Sequence, residues 1–275
     1  MPAFLLGGAM EERVMMTPTL PENPKPDYWS DAEWHLRVEL AAAYRLVDHF
    51  GWTELIYGHL TAHVPGEKPH FLINPYGLNY DEVTASNLVK IDVDGNTVES
   101  SEYNVNKAGF VIHSAIHMHA TEENRVVMHT HTRAGMAVAA LKEGLQQVSM
   151  NATCFYGDIA YHDFEGPSLY LDERDRLVAS LDGKHAMILK NHGLMTVGKT
   201  VAAAFQRLYR LERACQVQID AGAAGKLNVI SDNVAAKSGA DTNAFAESED
   251  GYGFGELEYA ALLRKMGRLD ASYAA

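Results

Sequence analysis

The chain has 275 residues, 47% of them hydrophobic and 21% charged, the composition of an ordinary soluble globular protein. A formal net charge of −13 disfavours nucleic acid and anionic membrane as partners, since both call for a basic face. Cys154 and Cys215 alone make no disulfide framework, and Phe4-Leu5-Leu6 is too short an apolar run for a signal peptide or a membrane span, so a cytoplasmic protein is expected.

Residues 1–27, with Pro18, Pro21, Pro24 and Pro26 among polar neighbours, read as a flexible tail. Ser30 followed by Glu33 has the form of a capping box, and the apolar spacing from Leu36 to Phe50 predicts a helix that stops at Gly51. Strands are expected at Glu54–Val64 and Phe71–Asn74, then a hairpin of Leu88–Val93 with Asn96–Glu99 around Asp94-Gly95. Lys107–Ala120 reads as a helix, Arg125–His131 as a strand and Arg133–Leu141 as a helix. Gly157–His162 reads as a strand, Asp172–Leu181 as a helix, His185–Lys190 as a strand and Thr200–Ala221 as a long helix. The Gly-, Ala-, Ser-, Asp- and Asn-rich stretch from Gly222 to about Gly255 predicts a loop, and Glu256–Leu269 a last helix. Strands and helices mix without strict alternation, which predicts one layered α/β domain at 28–225, followed by a loop and helix extension at 226–275.

The chemistry concentrates in two places. In Met128-His129-Thr130-His131, residues two apart on a strand share a face, so both imidazoles can reach one ion. In Asn191-His192-Gly193 a third histidine follows a strand, beside a glycine that permits a sharp turn. Three histidines with remaining positions open to water or substrate form a known catalytic donor set. Each motif alone is as easily a pair of solvated or core histidines; together they point to a metal.

The stretch from Gly58 to about Ala221 resembles the class II aldolase/adducin domain family. Gly58-His59-Leu60-Thr61 sits where the family has a Gly-Asn-Leu-Ser-like turn, and Ile73-Asn74-Pro75-Tyr76-Gly77-Leu78 matches its Ile-Thr-Pro-Ser/Thr-Gly segment. Val127–His131 matches its Val-Val-His-x-His strand, and Asn191-His192-Gly193 its Asn-His-Gly. The resemblance implies a three-layer α/β/α domain with a mostly antiparallel central sheet and a divalent ion on His129, His131 and His192. The ion would be Zn, or Fe, Mn or Co. It also implies a tetramer with the site at a subunit interface. Substrate contacts would come from His59, Tyr76, Gly77, Lys107, Gly109 and Asn191.

The sequence departs from the family pattern where catalysis is concerned. With His113 placed on the family's helical histidine, Gly109 falls at the catalytic Glu, and Lys107 and Ala108 replace its paired serines. The anion-binding loop is rewritten, which disfavours a sugar phosphate. Val105–Phe110 and Gly157–Asp163 resemble the adducin-head branch, but the acidic polar tail Ser231–Ala275 lacks the basic segment that actin binding needs. His113 and His117, one turn apart, are either packing groups beneath the metal or a replacement acid or base. Tyr259, like Tyr252, is either a proton donor to a neighbouring subunit's site or, for Tyr259, a core anchor.

The leading expectation is a metal-dependent carbon–carbon lyase acting on a small oxo- or hydroxy-acid. Loss of the Glu tilts it toward decarboxylation, which needs no base to begin. The alternatives are a non-haem iron oxygenase on the same histidines and a non-catalytic adducin-like assembly module. Gly109 is expected to leave room beside the metal, room that a glutamate could fill.

Overall fold

A computed structural model describes residues 25–66, 68–119, 121–168, 170–248 and 252–275, so the expected N-terminal tail falls almost wholly outside the described residues. Helix α1 (Asp31–His49) begins where the sequence predicts, with the Ser30 hydroxyl accepting from the Glu33 amide at 3.1 Å. The reciprocal half of the capping box is not made. Glu33 instead accepts from Arg37 and from Lys90, whose ammonium also reaches Glu99, forming a largely buried four-charge network.

The sheet is built from β1 (His59–His63), β2 (Phe71–Ile73), β3 (Val89–Ile91), β4 (Val126–Thr130), β5 (Ile159–His162), β6 (Ala186–Leu189) and β7 (Gly193–Gly198). Its order is β3-β2-β1-β4-β7-β6-β5, and every pairing is antiparallel except β5 with β6. This is the mostly antiparallel α/β sheet expected. The Asp94-Gly95 turn forms, with the Asp92 amide donating to the Asn96 carbonyl at 3.0 Å, but the return segment makes a single bridge, Ile91 to Thr97.

Two layers of helix cover the sheet. On one face α1, α6 (Val201–Ala224) and α8 (Glu256–Leu269) pack over Leu60, Leu72 and Met128. Beside them α3 (Arg133–Ala139) and α4 (Met150–Thr153) join α6 over Ile188 and Leu194. On the opposite face α2 (Lys107–Met118) and α5 (Arg174–Leu181) meet Val127, Met187, Met195 and Val197, and α2 also covers Phe71, Ile73 and Ile91. Alternate residues of β4 and β7 thus go to opposite layers, as the two-residue period of a strand requires.

Several elements differ from the sequence expectation. The strand expected from Glu54 begins only at His59, residues 54–57 forming a turn, and α4 is not among the expected helices. The run after His192, to which the sequence reading assigns no element, is β7, next to the centre of the sheet. It is buried along its whole length, so it shows no polar alternation, and glycines bound it at both ends. The expected loop from Gly222 to Gly255 contains α7 (Asp232–Ser248). This helix docks through small residues: a Cβ on Gly239 would stand 2.3 Å from the Thr153 carbonyl oxygen, and Ser238 Oγ meets Thr153 Oγ1 at 2.9 Å. Contacts of that kind leave no large apolar stripe to read. Met150 is 68% exposed, whereas Met187 and Met195 are buried.

Helix α8 is part of the core. Tyr259, Leu263 and Met266 are buried against α1 and α6, and the Tyr259 hydroxyl donates to the Glu39 carbonyl at 2.6 Å. Burial pushes the phenol well above its usual pKa. Tyr259 therefore sits as an anchor of its own chain's core. Tyr259→Phe should cost about 1 kcal/mol in urea unfolding and leave bound metal per chain unchanged; a fall in metal content without a fall in stability would return Tyr259 to the site.

Candidate metal centre

The strand pairing fixes the first histidine. His129, next to last in β4, lies directly opposite His59 of β1 in the register. His131 follows the strand, one residue before Thr132, whose hydroxyl caps α3 by accepting from the Gly135 amide at 3.1 Å. His192 sits in the three-residue turn between β6 and β7, where Asn191 takes a left-handed φ of +56°. Gly193 lets that turn close on β4: a Cβ there would stand 2.5 Å from the Thr130 carbonyl oxygen and 3.2 Å from the His129 ring. The three rings converge with centroids 4.7, 4.9 and 4.8 Å apart, and one nitrogen of each lies within 4.8 Å of the others.

The outer hydrogen bonds determine what the inner nitrogens are. His129 Nδ1 is 2.9 Å from the Leu194 carbonyl, a group that only accepts, so this nitrogen carries the proton. His131 Nδ1 is 2.5 Å from Glu54 Oε2 and carries a proton for the same reason. In the neutral rings both Nε2 atoms are then bare lone pairs, and they face each other at 2.8 Å. That arrangement is repulsive unless a cation lies between them. Burial and the adjacent His131 and His192 hold the His129 pKa well below the usual imidazole range, and burial and His131 bring His192 down to about 4, so a proton is a poor occupant. A soft-to-borderline divalent metal fits this donor set.

A second group of imidazoles lies behind the first. Thr61 Oγ1 stands 2.7 Å from His113 Nδ1 and 2.7 Å from His117 Nε2, donating to one ring and accepting from the other. Both rings are buried, burial driving His117 to about 3 and His113 well below the usual range. His113 lies 6.4 Å from His129 between ring centroids, and His117 stacks on Phe71 at 4.5 Å. Neither lines the cavity over the three histidines. Their surroundings are those of packing groups, whereas a replacement acid or base would need to reach a ligand in that cavity.

That cavity, about 220 Å³, is lined by Tyr57, Gly58, His59, Tyr76, Asn106, Gly109, Ile112 and Pro167 together with His129, His131 and His192. Gly109 does not leave the expected gap. A Cβ built on it would lie 2.1 Å from His59 Cδ2 and 2.4 Å from His59 Nε2, so the His59 imidazole already occupies that space. The ring is held at Nδ1 by Asn74 Oδ1 (2.9 Å) and at Nε2 by Asn106 Nδ2 (3.3 Å). Burial brings it down to about 4, so it is a neutral wall of the cavity.

The sequence-predicted contacts divide accordingly. His59, Tyr76 and Gly109 line the cavity. Gly77 and Asn191 shape turns with φ of +106° and +56° and are not among the lining residues. Lys107 opens α2, and its side chain falls outside the described residues. Sequence reasoning missed Tyr57, Asn106, Ile112 and Pro167, and above all Glu54. No spacing signal links Glu54 to a histidine 77 positions away.

This architecture places the chain in a family. Residues 38–219 match the Class II Aldolase and Adducin N-terminal domain, and the chain belongs to that family. A solved aldolase II superfamily protein from Pseudomonas syringae is 46% identical, with a TM-score of 0.84 over 90% of this chain and 98% of its own. An L-fuculose 1-phosphate aldolase from Glaciozyma antarctica PI12 is 31% identical, with a TM-score of 0.75 over 90% and 96%. Mouse alpha-adducin is 40% identical over 85% of this chain, which spans only 33% of the adducin.

Two measurements test the geometry. Gly109→Ala should lose about 1–3 kcal/mol through overpacking against His59, and a background of His59→Ala should remove most of that loss; strictly additive losses would mean that the ring does not rest on Gly109. The buried imidazoles also set a pH window. His113 and His117 have folded pKa values below the unfolded value near 6.5, so below that pH the unfolded chain binds protons the fold cannot. Stability is fully present above about pH 6.5 and is lost as pH falls toward the folded values, by up to about 1.4 kcal/mol per unit for each group. Urea midpoints of metal-free protein should therefore be level from pH 7 to 8 and fall between pH 6.5 and 5.

Proposed function

We propose that this chain is a divalent-metal-dependent carbon–carbon lyase, of decarboxylase or aldolase type, acting on a small oxo- or hydroxy-acid without phosphate. The observation that carries the proposal is the pair of Nε2 atoms facing each other at 2.8 Å, with His192 as third donor, beside a small cavity. His129, His131 and His192 would hold the ion, with Zn suited to an all-imidazole set. A bound ion would supply Lewis-acid polarisation of a substrate oxygen.

The protein's own groups do the rest. His59, held neutral between two asparagines, presents an accepting Nε2 that a substrate hydroxyl can meet, and Asn106 an amide that can donate to a substrate oxygen. Tyr57 and Tyr76 line the cavity, and their hydroxyls would donate a proton, a role for which the buried His113, His117 and Tyr259 are less well placed. Among the described lining side chains there is no lysine or arginine, which disfavours a phosphate group. Assembly as a homotetramer and a cytoplasmic location are part of the proposal.

The 40% identity to alpha-adducin favours a second reading, a non-catalytic assembly module that keeps the fold. An iron oxygenase would require the same three histidines to select Fe(II). Purified protein should carry close to one ion per chain, and His192→Ala should lose it. Metallated protein is then offered a panel of oxo- and hydroxy-acids with carbon dioxide and aldehyde release as readouts. Full metal retention by His192→Ala would remove the three-ligand assignment. Complete metallation with no turnover of any acid would favour the assembly module.

A further inference from the structure

We propose that Glu54 is a positioning residue of the metal centre, holding His131 through its Nδ1–H and supplying the negative charge that no ligand provides. The inference rests on the three-histidine reading of the centre and deepens it. The Glu54 carboxylate lies 2.5 Å from His131 Nδ1, the shortest side-chain contact that any of the three rings makes with a charged group. It is the outer member of a carboxylate–histidine–metal arrangement, which fixes the tautomer, aims Nε2 and raises the basicity of the ligand.

The chain around Glu54 is shaped to deliver it. Glu54 bridges to Tyr57 across a tight turn in which Leu55, 75% exposed, takes a left-handed φ of +52°. An exposed leucine in that conformation has no packing reason to be there. The turn does two things at once: it swings Glu54 onto His131 and sets Tyr57 and Gly58 into the cavity wall. The other two rings have no such partner. His129 is held by a neutral carbonyl, and His192 shows no carboxylate among its described contacts.

The charge argument points the same way. Three neutral imidazoles leave a divalent ion with its full charge, and the cavity lining contributes no anion. The position on α2 where a carboxylate would be expected is Gly109, closed off by His59. Among the described residues Glu54 is thus the carboxylate seen in contact with a ligand ring, acting one ring removed from the ion.

The test uses metal-stripped full-length protein titrated with Zn²⁺ against a chromophoric chelator, and with Co²⁺ for spectroscopy. Glu54→Gln keeps an acceptor and removes the charge; Glu54→Ala removes both. Both should weaken Zn²⁺ binding, by about 10- to 100-fold for Glu54→Ala and less for Glu54→Gln. In the Co²⁺ proteins the shifted Nδ1–H resonance of His131 should be sharp in the wild type and in Glu54→Gln. It should be lost to solvent exchange in Glu54→Ala, while that of His129 persists in all three. Glu54 is 44% exposed on a surface turn, so the metal-free variants should melt with the wild type. Zn²⁺ affinities within twofold of wild type, in a background where His131→Ala abolishes binding, would overturn the role of Glu54 and leave the centre standing. A wild-type protein that binds neither ion would overturn both.

Discussion

Two imidazole nitrogens without protons, held face to face, are the constraint around which this molecule is arranged. Each is fixed by what its opposite nitrogen touches: a backbone carbonyl of β7 for His129, a carboxylate on a tight turn for His131. The β4–β7 pairing is needed for the first contact and the approach of the 54–57 turn for the second. The sheet and the turns bring the two nitrogens to 2.8 Å, a separation that is repulsive for two bare lone pairs. The natural relief is a cation, and burial makes a metal a better one than a proton.

Behind this pair the fold arranges more imidazole with little charge. Thr61 satisfies one nitrogen of His113 and one of His117, leaving both rings neutral between β1 and α2. His59 is the member that reaches the cavity. Its ring lies against the bare Cα of Gly109, so the two positions form one steric unit: a side chain at 109 and an imidazole at 59 cannot both be present in this packing. The absent glutamate leaves a filled, neutral and hydrogen-bonding surface. That favours substrates recognised by oxygen atoms and small size over those recognised by phosphate charge.

What the sequence reveals is what strand and helix periods encode locally. The His129/His131 pair, the Asn191–Gly193 turn and the Ser30 cap were legible because each depends on residues within a few positions of one another. The β7 strand was not, since a strand buried on both faces carries no alternation, nor was α7, which docks by small residues. The site's second tier was harder still. Glu54 reaches His131, and His59 reaches Gly109, only after the sheet has brought distant segments together, and no pattern along the chain marks either pair. Gly109 does line the cavity beside the three histidines, but no sequence motif could show what fills the space above it.

The same pairings bear on how a shared scaffold changes its chemistry. A carboxylate among the ligands lowers the charge of an ion directly and competes with substrate for its open positions. A carboxylate one imidazole removed, as Glu54 is here, steadies the ligand and leaves those positions free. An anion placed outward in this way would leave a bound ion more electrophilic toward a substrate oxygen. Filling the vacated space with His59 keeps the cavity small, near 220 Å³. The two changes are physically linked. The His59 ring against Gly109 narrows the cavity, and the Glu54 contact orients the His131 ring toward its neighbours. A strongly polarising ion in a small, neutral, hydrogen-bonding cavity suits the stabilisation of charge left behind when a carbon–carbon bond breaks.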